Sequence, residues 1–133
     1  MALTVNHPTL KEQTVFAHTP SFGTTPIAAV TRAGFRGKVV KVGFVCGGAF
    51  TGTLSHAVNI ITNVADGAAP GAGTAITGSP FTQSATNSAL GSTNSFVPTG
   101  ANNVNEDDLI SFTPSGATAS SMPGTYYAVI QVA

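Results

Sequence analysis

The side chains best equipped for acid–base, nucleophilic or metal chemistry are few in this 133-residue sequence: three histidines, one cysteine and five acids. His7, His18 and His56 are far apart and stand in no metal-ligand spacing. His56 falls inside an alternating apolar run, where the expected role is a partly buried histidine satisfied by its neighbours. Cys46 ends another apolar run and reads as a small buried hydrophobe. Being single, it excludes an internal disulfide framework. Glu106, Asp107 and Asp108 are adjacent at a strand entry. Glycoside chemistry would need two carboxylates flanking a bond, and a calcium loop would need spaced ligands, so a turn leading into a strand explains them better. There is no Gly-x-Ser-x-Gly, no Cys-x-x-Cys, no phosphate loop and no dinucleotide fingerprint. Gly67 to Gly73 lacks the lysine and the following helix of a phosphate cradle. Sugar platforms usually use exposed Trp or Tyr; Trp is absent, and Tyr126 and Tyr127 sit in the last strand, at least one of them for the core. The expectation is a protein with no catalytic residue, no cofactor site and no metal site, and not an enzyme.

The elements that would position these residues are strands. Helix formers are scarce, and proline or glycine interrupts nearly every window of a dozen residues. Lys38 to Cys46 alternates, with Val40, Val42, Phe44 and Cys46 on one face. Leu54 to Thr62 places Leu54, His56, Val58, Ile60 and Thr62 on one face. Thr74 to Phe81, broken by Gly78 and Pro80, reads as an edge or bulged strand. Ser95 to Pro98 is a short fourth run, and Asp108 to Thr113 a fifth. Thr125 to Val132 sets Tyr126, Ala128, Ile130 and Val132 against Tyr127 and Val129. The connections are too short for βαβ crossovers, which predicts an all-β fold, an antiparallel β-sandwich whose strand order, jelly-roll-like or another, is a long-range property that the sequence leaves open. Residues 1–35, broken by Pro8, Pro20 and Pro26, hold short extended pieces at Thr4-Val5, Thr14-Val15-Phe16 and Ile27-Ala28-Ala29-Val30. Such pieces either add a strand to the main sheet or run out to a neighbour; they read as an extended N-terminal arm, and 36–133 as the sandwich domain. Residues 67 to 105 carry no charge and read as long surface loops anchored by Ile76, Phe81, Leu90, Phe96 and Val97.

Composition narrows the function classes. Ala, Gly, Thr and Ser supply 64 of the 133 residues, the charged fraction is 8% and the net charge is zero. An ordinary soluble domain carries about 25% charged residues. Such a surface is hydrated but hardly self-repelling, which suits packing against other proteins. It does not suit nucleic acid, which asks for a basic face. No run approaches the apolar length of a membrane helix, and the first residues show no basic, apolar leader pattern. With one cysteine, folding in a reducing cytoplasm is expected. Charge is also segregated: Arg32, Arg36, Lys38 and Lys41 fall within ten residues, while Glu106, Asp107 and Asp108 form the acidic cluster. These patches could be solvated turns, or could pair head to tail between adjacent copies.

The strand Gly37-Lys-Val-Val-Lys-Val-Gly-Phe-Val45, the run Leu54-Ser-His-Ala-Val-Asn-Ile-Ile61, the stretch Glu106-Asp-Asp-Leu-Ile-Ser-Phe-Thr-Pro-Ser-Gly116 and the final Gly124-Thr-Tyr-Tyr-Ala-Val-Ile-Gln-Val132 together resemble the small β-sandwich or jelly-roll decoration (cement) proteins on the heads of tailed bacteriophages. The likeness is one of strand order and composition over residues 36 to 133, and fibre, neck and baseplate modules share it. It implies a non-enzymatic virion protein, made in the host cytoplasm, that binds the capsid exterior. Its partner would be the major capsid protein, it would commonly be a homotrimer, and it would clamp neighbouring capsomers without touching nucleic acid or membrane. On that reading the contacts would involve Phe16 and Phe22 of the arm, Arg32 and Arg36, and Glu106, Asp107 and Asp108. A carbohydrate-binding β-sandwich is the alternative from another class.

Overall fold

The computed structural model describes residues 11–23, 25–62, 64–118 and 122–133. Within them the chain forms ten strands: β1 (Glu12–Thr19), β2 (Ala29–Arg32), β3 (Gly37–Cys46), β4 (Thr51–Ile61), β5 (Thr74–Ala75), β6 (Phe81–Ser84), β7 (Thr93–Phe96), β8 (Asn103–Val104), β9 (Leu109–Thr118) and β10 (Gly124–Val132). One sheet runs β1-β10-β3-β7, with β8 also on β3; the other runs β2-β9-β4-β5, with β6 also on β4. All these pairings are antiparallel.

The pairings nest. β1 meets β10, β2 meets β9, β3 meets β8 and β7, and β4 meets β6 and β5. A long antiparallel hairpin rolled up so that β10 also touches β3, and β9 also touches β4, gives this order, which is that of a jelly roll. Two sheets then face each other across one core, each inward face built from alternate residues.

Tyr126, Phe22, Phe44, Phe112, Leu54, Ile76 and Ile110 are the largest of the fully buried side chains. Phe22 meets Phe44 edge-on at 5.3 Å and Phe50 at 5.8 Å, while Phe112 stacks on Tyr126 at 4.8 Å. These separations are the favoured ones for aromatic pairs. Gly124 begins β10 because a Cβ there would overlap the Phe44 ring.

The expected antiparallel sandwich is present, with four differences of detail. Residues 12–19 and 29–32 are not an arm: β1 pairs along its whole length with β10, and β2 with β9. The prolines between them break the chain where it crosses from one sheet to the other. Leu3 and the other residues before Lys11 lie outside the described residues. In β3, Ile130 pairs with Val39 but Val129 pairs with Lys41, so Val40 is an extra, bulged residue. The bulge flips the alternation, and Val39, not Val40, is fully buried beside Val42 and Phe44. The run Thr74 to Phe81 divides into β5 and β6, with Ile76 plugged into the core between them. Leu90 and Val97 are exposed and anchor nothing, whereas Ile76 and Phe81 are buried as expected.

Candidate functional site

The proposed contact residues separate into two groups. Phe22 is completely buried in the aromatic core, so it is not a contact for a partner. Phe16 is 64% exposed. Strand alternation explains the difference within β1: Ala17 and Thr19 point inward, Phe16 outward. Phe16 pairs across the strands with Tyr127, which in turn pairs with Gly43. A Cβ at Gly43 would collide with the Tyr127 ring, so the ring lies over bare backbone. The outer face of this sheet thus carries an aromatic pair flanked by Val129 and Val45.

β1 and β2 are the outer strands of their sheets and lie side by side at one lateral edge. Thr19 ties the connection between them, its hydroxyl lying 2.6 Å from the Ile27 carbonyl oxygen and 2.9 Å from that of Ser21. Beside this edge Phe16 is exposed on the outer face of β1, Val30 on the outer face of β2 and Ile27 in the connection between them. Each of the two strands ends its sheet, and with three exposed apolar side chains beside them this edge suits another protein chain.

Arg32, Arg36 and the acidic turn come together at one end of the sandwich. Arg32 Nη1 donates to the carbonyls of Asp107 (2.8 Å) and Val64 (3.2 Å), and Nη2 meets Asp66 Oδ1 at 3.4 Å. The turn is pinned by Ala33 N–H donating to Asp108 O and Gly34 N–H to Glu106 O. Asp108 is buried, and its Oδ2 accepts the Asn105 N–H at 2.8 Å. It therefore shapes the turn and is not an outward contact. Glu106 and Asp107 are exposed. Arg36 lines a cavity with Lys11 and Lys38. Among the described residues, no three of His, Cys, Asp and Glu converge as a metal-ligand set.

A second polar cluster, not legible in the sequence, lies inside the core. His56 from β4 sits 4.5 Å from the rings of both Phe81 and Phe44, and its Nδ1 is 2.7 Å from the Tyr126 hydroxyl. Gln83 Nε2 donates to Cys46 Sγ at 3.2 Å. His56 Nε2 and Gln83 Oε1 form no well-aligned hydrogen bond. Burial pulls the imidazole down to about 4, partly offset by the neighbouring Gln83 carboxamide. Burial also pushes the Cys46 thiol and the Tyr126 phenol up. The imidazole is neutral, the thiol protonated, and both are closed off from solvent, so the cluster fastens four strands together and offers no thiolate nucleophile.

Fold and surface define a class: a jelly-roll β-sandwich with an aromatic core, an open apolar edge and its charge gathered at one end. No protein-family model and no curated protein sequence matches the chain. Among the described residues no helix is long and apolar enough to cross a membrane.

Proposed function

We propose that the chain is a non-enzymatic virion structural protein that binds the outside of a phage capsid as a homotrimer and stabilises the shell by clamping neighbouring capsomers. Its partner would be the major capsid protein, with no role for nucleic acid, membrane or cofactor. The observation that carries this reading is the lateral edge of β1 and β2, where Phe16 on β1, Val30 on β2 and Ile27 in the connection between them stand exposed. The nearly uncharged body around that edge lets copies and partners approach without repulsion. Multivalent engagement then turns weak single contacts into firm attachment.

The test is quantitative mass spectrometry of purified virions, paired with binding of the recombinant protein to capsids that lack it. A copy number comparable with that of the capsid protein, and capsids that resist heat better once coated, are expected. A few copies per particle would indicate a fibre or baseplate module, and a monomer that ignores capsids would overturn the reading.

The Phe16–Tyr127 pair supports a second reading, because a flat aromatic face can stack on a sugar ring. Glycan binding would be saturable, specific for one sugar and lost in Tyr127→Ala. Tyr126 is fully buried and cannot serve in this way.

A further inference from the structure

Lys11, Arg32, Arg36, Lys38, Asp66 and the Glu106–Asp108 turn gather at one end of the molecule. Lys11, Arg36 and Lys38 line a cavity of about 710 Å³ there, with Thr62, Asn103, Asn105 and Gln131 as further polar lining. Its walls are fixed by strand ends. Gly37 pairs with Val104, Val132 N–H donates to Lys11 O (2.6 Å), and Ala133 N–H to Arg36 O (2.9 Å).

The acidic turn is the cavity's immediate neighbour, since Asn105 and Asp108 belong to the lining. Glu106 and Asp107, the residues between them, do not. Among the described residues no ion pair joins Glu106 or Asp107 to a cavity cation of its own molecule. The reason is mechanical: main-chain bonds from Ala33 and Gly34, and the Arg32 guanidinium on Asp107 O, hold the turn back against residues 32–34. Three cations around a concave floor thus stand beside two acids that cannot reach them. Complementary patches displaced sideways on the same end cannot satisfy each other within one copy, but they can around a ring.

We propose that copies of this chain associate cyclically through this end, the Glu106–Asp107 turn of one copy seating in the Lys11, Arg36 and Lys38 cavity of the next. The inference rests on the homotrimer in the reading above and names its interface. Charge pairs enclosed by a cavity wall are less screened than open surface pairs, and like charges brought together there oppose assembly strongly.

The experiment is mass measurement in solution by light scattering over a dilution series, at low salt and near 1 M salt, where the Debye length falls to about 3 Å. The wild type should be a trimer that dissociates at high salt. Glu106→Lys with Asp107→Lys, or Arg36→Glu with Lys38→Glu, should each raise the concentration needed for assembly by at least about tenfold. All four substitutions in one chain should restore the trimer, which a merely damaged fold would not do. Lys41→Glu, away from the cavity, should change nothing. A trimer indifferent to salt and to these substitutions would overturn the interface while leaving the trimer standing. A monomeric wild type that coats capsids would overturn the inference and the trimer, but not the capsid-binding part of the proposed function.

Discussion

Phe16 and Phe22 show how much depends on the parity of one residue in a strand or the course of one loop. Both are phenylalanines in the proline-broken first quarter of the chain, and from sequence they are equivalent. The fold makes one a surface ring and the other the centre of an edge-on aromatic trio. Phe22→Ala is therefore expected to cost about 3–5 kcal/mol, the range for emptying a packed aromatic site. Phe16→Ala should leave urea stability within about 0.5 kcal/mol, as for other exposed substitutions, while weakening capsid attachment. Equilibrium urea unfolding of both variants, beside a capsid-binding assay for Phe16→Ala, checks the pair. His56 was expected to be partly buried and is wholly so. Its contribution has a definite pH signature. The unfolded chain protonates the imidazole near pH 6.5, but the fold resists until about 4. Between those values the unfolded state binds more protons, so stability falls as pH drops through this window and the contribution levels off below it. The loss attributable to His56 is of the order of 3 kcal/mol. Urea unfolding from pH 7 to 4 should show that slope, and His56→Gln should flatten it whatever it does to stability at pH 7.

At the scale of elements, the alternating runs that became β3, β4, β9 and β10 are visible in the sequence because each buries one face and must repeat with period two. The Leu54, His56, Val58 and Ile60 face is buried as the pattern requires. The Val40 bulge was not legible, because it is defined by a mismatch with β10, a partner some ninety residues away. β1 and β2 were legible only as short extended pieces at Thr14 to Phe16 and Ile27 to Val30, for a related reason. Gln13-Thr-Val-Phe-Ala-His-Thr is only weakly patterned, and its stability comes from the pairing with β10 that closes the roll. That pairing has a direct consequence for truncation. If residues 1–35 were an arm, the remainder would fold without them. Removing them here strips both sheets of an outer strand, takes Phe22, Ala29 and Ala33 from the core, and uncovers β10 and β9. The chain 36–133 is expected to lose cooperative unfolding and protease resistance. A truncated protein with a sharp thermal transition close to that of the full chain would return these residues to the role of an arm.

The whole molecule is a nested set of antiparallel pairs, and nesting determines how it can open. β3 is held by β10 on one side and by β7 and β8 on the other, and β10 is in turn held by β1. Each strand in the middle of a sheet is thus bound on both sides, and β3, β4, β9 and β10 each have at least one partner far away in sequence, so no central segment can leave without breaking long-range pairings. Such a topology closes slowly and opens as a unit. The separation of charge belongs to this scale too. The basic and acidic runs were plain in the sequence, but their meeting at one end follows from rolling the hairpin, which brings the starts of β1, β3 and β9 and the end of β10 together. Cys46 supplies a probe of the unit character. Its sulfur is buried near the end of β3 against Gln83 from the opposite sheet, and burial keeps the thiol protonated. Labelling by a thiol reagent must wait for the two sheets to separate. The expected result is that native-state labelling is slow and accelerates with urea with the same dependence as global unfolding, once corrected for the reactivity of the free thiol. A markedly weaker urea dependence would mean that the β3–β7 edge peels away by itself. That would make the sandwich two cooperative parts, not one.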